Sequence, residues 1–199
     1  MSTLVGKKAI DFTSTAVLQN GHIDENFRLF NEIKNKYCLL FFYPLDFTFV
    51  CPSELIYLSN RIAEFKKRNV ETIGISIDSH FSHNAWRNTP IEKGGIGKIK
   101  YTLVSDINHK IVKSYGVEHH NAHVAFRAVF IIDKNQNIRI QHVNDLPIGR
   151  NIDELIRLID AIQFHEENGE VCPVNWKKGS EAMVPNQDGV KKYLTKNFI

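Results

Sequence analysis

Apolar residues run along this chain in two alternating rhythms. Short unbroken runs at 37–43 (YCLLFFY), 70–77 (VETIGISI), 102–105 (TLVS) and 126–132 (FRAVFII) have the length and the aromatic and β-branched content of buried strands. A further run at 138–143 (IRIQHV) alternates apolar with polar and predicts a half-exposed strand. Between these runs the period changes to three and four. Leu55, Leu58, Ile62 and Phe65 predict one helix from about 52 to 67, and Leu155, Ile156 and Ile159 a second from about 152 to 167. Asn151 followed by Glu154 has the form of a capping box, and Gly169 stands where a C-cap glycine is expected. Short helices are expected around 80–88 and 108–114.

Strands alternating with helices argue an α/β domain with a partly parallel central sheet. After Gly169 the rhythm is lost: "EVCPVNWKKGSEAMVPNQDGVKKYLTKNFI" carries prolines and glycines among scattered apolar residues. The expected organisation is one domain over 1–169 and an arm over 170–199. That arm would lie on a surface, its own or another subunit's, with a short helix near its end.

Composition narrows the function classes. The chain is 199 residues with 43% hydrophobic and 24% charged residues, which excludes disorder as a whole-chain description. A net charge of +3, with Lys177, Lys178, Lys191, Lys192 and Lys196 interspersed with acids, reads as a solvated tail and not as a nucleic-acid footprint. No stretch approaches the roughly 20 apolar residues that span a bilayer. The beginning, "MSTLVGKKAIDF", lacks the apolar core of a signal peptide, so the expected location is cytoplasmic. Three cysteines, at 38, 51 and 172, make a poor disulfide framework; in a reducing compartment they leave transient redox chemistry or plain burial.

Cys51 directly precedes a proline and the predicted 52–67 helix. Proline is welcome at the first helical position, and the residue before it is pushed out of the helical region. Cys51 is therefore expected at the N-terminal edge of that helix, where free backbone N–H groups and the dipole favour an anion and bias a thiol towards thiolate. Thr48 offers a hydroxyl from the preceding loop. Full ionisation of a thiol of ordinary pKa raises the thiolate fraction only about 30-fold at neutral pH, roughly 2 kcal/mol. A fast reaction needs further groups acting on the transition state. Arg127, in an otherwise apolar run, is the candidate cation, although it reads equally as an edge-strand arginine reaching solvent. Arg150 and Glu54 are candidates for an ion-paired shell. Cys172 repeats the tripeptide Val-Cys-Pro on the arm, too far along the chain for a C-x-x-C pair. Cys38 reads as core packing. The histidines of "HHNAH" at 119–123 read as a solvated loop, since the cysteines lack zinc-ligand spacing.

Several motifs agree on a family. Pro44, Thr48 and Cys51 reproduce a P-x-x-x-T-x-x-C pattern within "FYPLDFTFVCPSE", and "GEVCPVNW", "GGIG" (94–97), "FRAVFIID" (126–133) and "IGRNIDE" (148–154) follow in order. The chain closely resembles the typical two-cysteine peroxiredoxins over essentially its whole length. The resemblance implies a thioredoxin-like fold, with a mixed central sheet flanked by helices and an extended C-terminal arm. It implies that Cys51 attacks the O–O bond of hydrogen peroxide or an organic hydroperoxide and becomes a sulfenic acid. Thr48 and Arg127 would bind the peroxide and the thiolate, and Pro44 would shield the sulfur. Cys172 of a partner subunit would then form an intersubunit disulfide with Cys51, recycled by thioredoxin or a dedicated disulfide reductase. It further implies homodimers that assemble into rings of five, with no metal or organic cofactor. Ile10 stands where the family usually has proline, which alters a local turn. The pair Tyr193-Leu194 replaces the Tyr-Phe pair of members prone to overoxidation, so an intermediate sensitivity of Cys51 to sulfinic acid formation is expected. The resemblance also raises a ring-forming holdase chaperone as a rival or coexisting role.

Overall fold

A computed structural model describes residues 3–199. The chain divides into two compact units, Met1–Ile152 and Asp153–Ile199.

The first unit is built on a seven-stranded mixed sheet. Its strands are β1 (Thr13–Val17), β2 (Ile23–Arg28), β3 (Tyr37–Phe42), β4 (Val70–Ser76), β5 (Thr102–Ser105), β6 (Arg127–Ile132) and β7 (Ile138–Asn144). They lie in the order β2-β1-β5-β4-β3-β6-β7. β3, β4 and β5 are mutually parallel, and β6 runs antiparallel to β3, with Leu40 opposite Phe130. Every residue of β3 and of β6 is buried, as their unbroken apolar runs demand. Cys38, Leu40, Phe42, Phe130 and Ile132 join Phe27, Leu29, Ile33 and Tyr115 in one core cluster. Phe42, Tyr115 and Phe130 meet there at tilted and edge-on angles, with centroids 4.9 to 5.8 Å apart.

The predicted strands are all present. The two outside the prediction, β1 and β2, are polar. β2 (IDENFR) is an edge strand that buries only Phe27, so neither an apolar run nor a clean alternation marks it. The half-exposed reading of 138–143 matches β7, the opposite edge.

The helices of this unit are α1 (Leu29–Glu32), α2 (Cys51–Asn60), α3 (Ile62–Lys67), α4 (His80–Asn88) and α5 (Lys110–Ser114). The single helix expected over 52–67 is two, broken at Arg61, whose ψ of 4° leaves the helical range. A one-residue break keeps the three-and-four spacing, so Leu55, Leu58, Ile62 and Phe65 are all buried and the pattern cannot reveal it. After α4, the Gly94–Gly97 segment folds back. A Cβ on Gly95 would lie 1.9 Å from the Thr89 carbonyl oxygen, so only glycine permits that approach.

The helix α6 (Ile152–Asn168) reaches into the second unit, which also holds α7 (Gln187–Phe198). Gly169 takes φ +70° and its N–H donates to the His165 carbonyl, the left-handed C-cap that its position predicted. Beyond it, the arm is pinned by an antiparallel bridge between Val171 and Met183. Asn186 caps α7, its side chain accepting from the Gly189 N–H at 2.8 Å.

Candidate active site

Cys51 opens α2. The helix begins one residue earlier than the proline rule suggests: Val50 is its N-cap, with φ −80° and ψ −36°, and Pro52 is the second helical residue. The Val50 carbonyl accepts from Ser53 Oγ at 2.6 Å and from Glu54 N at 3.3 Å, which tightens the first turn. Cys51 is fully buried.

The loop before it is held in an unusual conformation. Phe47 has φ +53°, an uncommon region for a bulky residue, and is retained by packing of its ring on Trp86 at 5.7 Å between centroids. Asp46 anchors the same loop: its carboxylate accepts from Tyr43 and Ser82 at 2.8 Å and pairs with His83 at 2.8 Å. Thr48, expected to offer its hydroxyl to the sulfur, donates instead to the Leu45 carbonyl at 2.9 Å. Its oxygen keeps acceptor capacity towards a cavity of about 420 Å³ lined by Pro44, Thr48, Phe49, Val50, Arg127, Leu146 and Pro147.

Arg127 is not an edge residue. It starts β6, which lies between β3 and β7, and its side chain is buried. Its Nη1 lies 3.4 Å from Cys51 Sγ and 2.8 Å from Glu54 Oε2, while Nε donates to the Leu146 carbonyl at 2.6 Å. One guanidinium thus joins the cavity, the thiol sulfur and a carboxylate.

Behind it stands a second arginine. Arg150 donates to both oxygens of Glu54, from Nε at 2.9 Å and from Nη2 at 2.8 Å, a bidentate pair. Its backbone N–H adds a third bond to Glu54 at 2.7 Å. Nη1 reaches the carbonyls of Phe42 at 2.6 Å and Ala128 at 2.9 Å, tying β3 to β6, and the guanidinium lies 3.3 Å from the centre of the Phe41 ring. Burial pushes the Glu54 carboxyl up, but the hydrogen bonds and charge of Arg150, with Arg127, outweigh it and hold Glu54 below the usual carboxylate range.

All seven residues singled out in the sequence therefore have a definite place. Pro44, Thr48, Cys51, Glu54, Arg127 and Arg150 come together in the first unit; Cys172 belongs to the second. The sequence reading missed the Leu146, Phe42 and Ala128 carbonyls and the Phe41 ring. Backbone acceptors carry no side-chain signature, and Phe41 is indistinguishable from its core neighbours in the run 37–43.

Cys172 is half-buried, and its Sγ donates to the Ala161 carbonyl at 3.6 Å. Cys38 lies in β3, where burial pushes its thiol well above the ordinary range. In the HHNAH loop, His119 Nδ1 accepts from the Asn121 and Ala122 N–H groups, and its ring stacks on His120.

The chain is similar to known proteins over nearly its whole length. A model of the AhpC/TSA family matches residues 5–141, and one of the C-terminal domain of 1-Cys peroxiredoxin matches residues 161–196. Alkyl hydroperoxide reductase C of Buchnera aphidicola subsp. Schizaphis graminum is 56% identical over 196 residues, covering 98% of this chain and 99% of that protein. Gallus gallus peroxiredoxin-1 is 49% identical over 192 residues, 96% of each chain. The crystal structure of reduced Plasmodium vivax 2-Cys peroxiredoxin superposes with a TM-score of 0.94 at 49% identity, covering 98% of this chain and 100% of that one. The chain belongs to the AhpC/TSA family and is a two-cysteine peroxiredoxin with a thioredoxin-like fold. It is a thiol peroxidase.

Proposed function

We propose that Cys51 is the nucleophile that attacks the peroxide and that Cys172 of a partner subunit closes the cycle. The observation that carries this reading is the Arg127 guanidinium 3.4 Å from Cys51 Sγ and 2.8 Å from Glu54. In that buried cluster the two arginines carry two positive charges against one from Glu54. A Cys51 thiolate supplies the missing negative charge, and with it the cluster is neutral.

The peroxide enters through the Pro44–Thr48–Arg127 cavity. The thiolate attacks one peroxide oxygen; an S–O bond forms as the O–O bond breaks, and the leaving oxygen takes up a proton as water or alcohol. Arg127 faces the charge as it moves from sulfur to the leaving oxygen, and Thr48 accepts from the peroxide hydroxyl. Pro44 keeps bulk water from the sulfur. Glu54 and Arg150 act by holding Arg127 and α2 in register.

Resolution requires motion. A disulfide needs Cα atoms within about 7 Å, and Cys51 is fully buried in the first turn of α2, so that turn must unwind for Cys172 to reach it. The Cys172 thiol then displaces the sulfenic hydroxyl as water, forming the S–S bond. Residues 170–199 serve as the arm that delivers Cys172. A thioredoxin or a dedicated disulfide reductase reduces the bridge. The protein works in the cytoplasm as a homodimer that assembles into a ring of five dimers. The side chains of Phe49, 95% exposed, and Phe47, 53% exposed, are apolar surface that such an assembly would cover.

A non-reducing gel after one equivalent of hydrogen peroxide tests the cycle on wild type, Cys51→Ser and Cys172→Ser. A covalent dimer in wild type alone is the expected result. Peroxide consumption without that dimer would overturn the two-cysteine cycle.

A further inference from the structure

The second unit contains a cation that the peroxide chemistry does not use. Glu154, Arg157, Ala161 and Phe164 recur along α6 at steps of three, four and three, so they share one face of the helix. Each meets the segment that follows Cys172 or the group that organises it. Arg157 forms a bidentate pair with Glu154, through Nε at 2.6 Å and Nη2 at 2.7 Å. Its remaining Nη1 donates to the Trp176 carbonyl at 2.8 Å. The Trp176 ring is buried and packs on Phe164 with centroids 4.9 Å apart. The Ala161 carbonyl accepts from Cys172 Sγ.

That face acts on the Cys172 thiol in two opposed ways. Burial, and the carbonyl that accepts its S–H, favour the neutral thiol. The Arg157 charge favours the thiolate, and Cys172 in turn acts back on Arg157. Burial wins in this conformation, and the thiol is raised. Titratable side chains on the neighbouring turns of this unit include Glu154, which pairs with Arg157, Asp160, Glu170, and His165, whose Nδ1 lies 2.8 Å from the Glu170 carbonyl.

We propose that Arg157 is a positioning residue for disulfide formation: held by Glu154, it anchors the 172–176 loop and sets its charge one helical turn from the Ala161 carbonyl that holds the Cys172 sulfur. This rests on the reading of Cys172 as the resolving thiol. In the step it serves, the Cys172 sulfur attacks the Cys51 sulfenic sulfur. The S–S bond forms as the S–O bond breaks, and the sulfenic hydroxyl leaves with the thiol proton as water. The Cys172 sulfur is oxidised and the Cys51 sulfur reduced, so no external reagent is consumed.

Two measurements test this. In a single turnover with one equivalent of hydrogen peroxide, sulfenic acid and disulfide are quantified over time by mass spectrometry for wild type, Arg157→Gln and Arg157→Lys. Loss of a nearby cation moves a thiol by about one pKa unit or more. One unit leaves about tenfold less thiolate, partly offset by its higher nucleophilicity, so disulfide formation in Arg157→Gln is expected to slow at least about threefold at neutral pH. Arg157→Lys keeps the charge without the bidentate fork and falls between. Sulfenic acid formation stays within about twofold of wild type, as expected of a residue with no part in the peroxide step.

The second measurement is the pH dependence of labelling by an aromatic disulfide reagent in Cys51→Ser and in Cys51→Ser/Arg157→Gln. Cys38 is buried and silent in the native protein, so the reagent reads Cys172. The titration midpoint is expected to rise in the double variant. An unchanged disulfide rate in Arg157→Gln, or an unchanged midpoint, overturns the proposal. If Arg157→Gln does not fold, the same midpoint is read in Arg157→Lys with Glu154→Gln, where loss of the pair leaves the charge unanchored; an unmoved midpoint again overturns it. Should wild type itself form no Cys51–Cys172 bridge, the resolving role of Cys172 fails, while the midpoint still decides the action of Arg157 on its thiol.

Discussion

Val50-Cys51-Pro52 and Val171-Cys172-Pro173 are the same tripeptide in two different surroundings. The first opens α2 in the first unit, with its sulfur fully buried and a guanidinium nitrogen 3.4 Å away. The second follows the glycine that ends α6, half-exposed, with its S–H given to a backbone carbonyl. At Cys51 a cation faces the sulfur; at Cys172 burial raises the thiol. The contrast fits two tasks. Attack on an O–O bond needs a sulfur held at a fixed place, and resolution needs a second thiol that meets it only once the first turn of α2 unwinds. A Cys-Pro pair therefore specifies neither reactivity nor silence; the charges around it do.

The largest break in this comparison is expected from Cys51→Ser. Removing the nucleophile should cut the second-order rate constant for hydrogen peroxide by at least about 1,000-fold, read by competition kinetics. Cys172→Ser should leave the first turnover near wild type but stop cycling with a reductase, and sulfinic acid should accumulate at Cys51 under excess peroxide, seen as added mass.

Arg127→Gln removes the charge at the sulfur while keeping a polar group. A loss of about 100-fold in the peroxide rate is expected, the scale of one preorganised electrostatic contact. An unchanged rate would show that the helix terminus alone makes Cys51 reactive.

Glu54→Gln tests the same cluster through stability. The folded protein holds the Glu54 carboxyl below its unfolded value, so the ionised form contributes stability that is full above the ordinary carboxylate pKa and lost as pH falls through the folded one. The variant should be less stable by about 3 kcal/mol in urea unfolding at pH 7, the cost of breaking a buried ion pair, and the gap should close in acid. A gap that persists unchanged in acid would mean packing, and not charge, is what Glu54 supplies. The smallest effect is expected from Cys38→Ala. It removes one buried atom group at a cost of about 1 kcal/mol and leaves peroxide kinetics unchanged.

Much of this molecule is legible before it folds. Buried strands such as β3 and β6 announce themselves because both faces are covered and every position must be apolar. The edge strand β2 stays hidden for the converse reason: one free side lets it be charged and irregular. The break at Arg61 is silent because apolar spacing survives it.

The site divides along the same line. Sequence alone determined that a cysteine meets the start of a helix, that an arginine is stranded in an apolar run, and that a second Cys-Pro lies in a segment without periodicity, because those depend on local chain chemistry. Only the tertiary structure decided that Arg127 reaches inward to Cys51 and not outward to solvent. β6 lies between β3 and β7, so the arginine at its start is buried, and Glu54 and Arg150 provide the charges that make its burial tolerable.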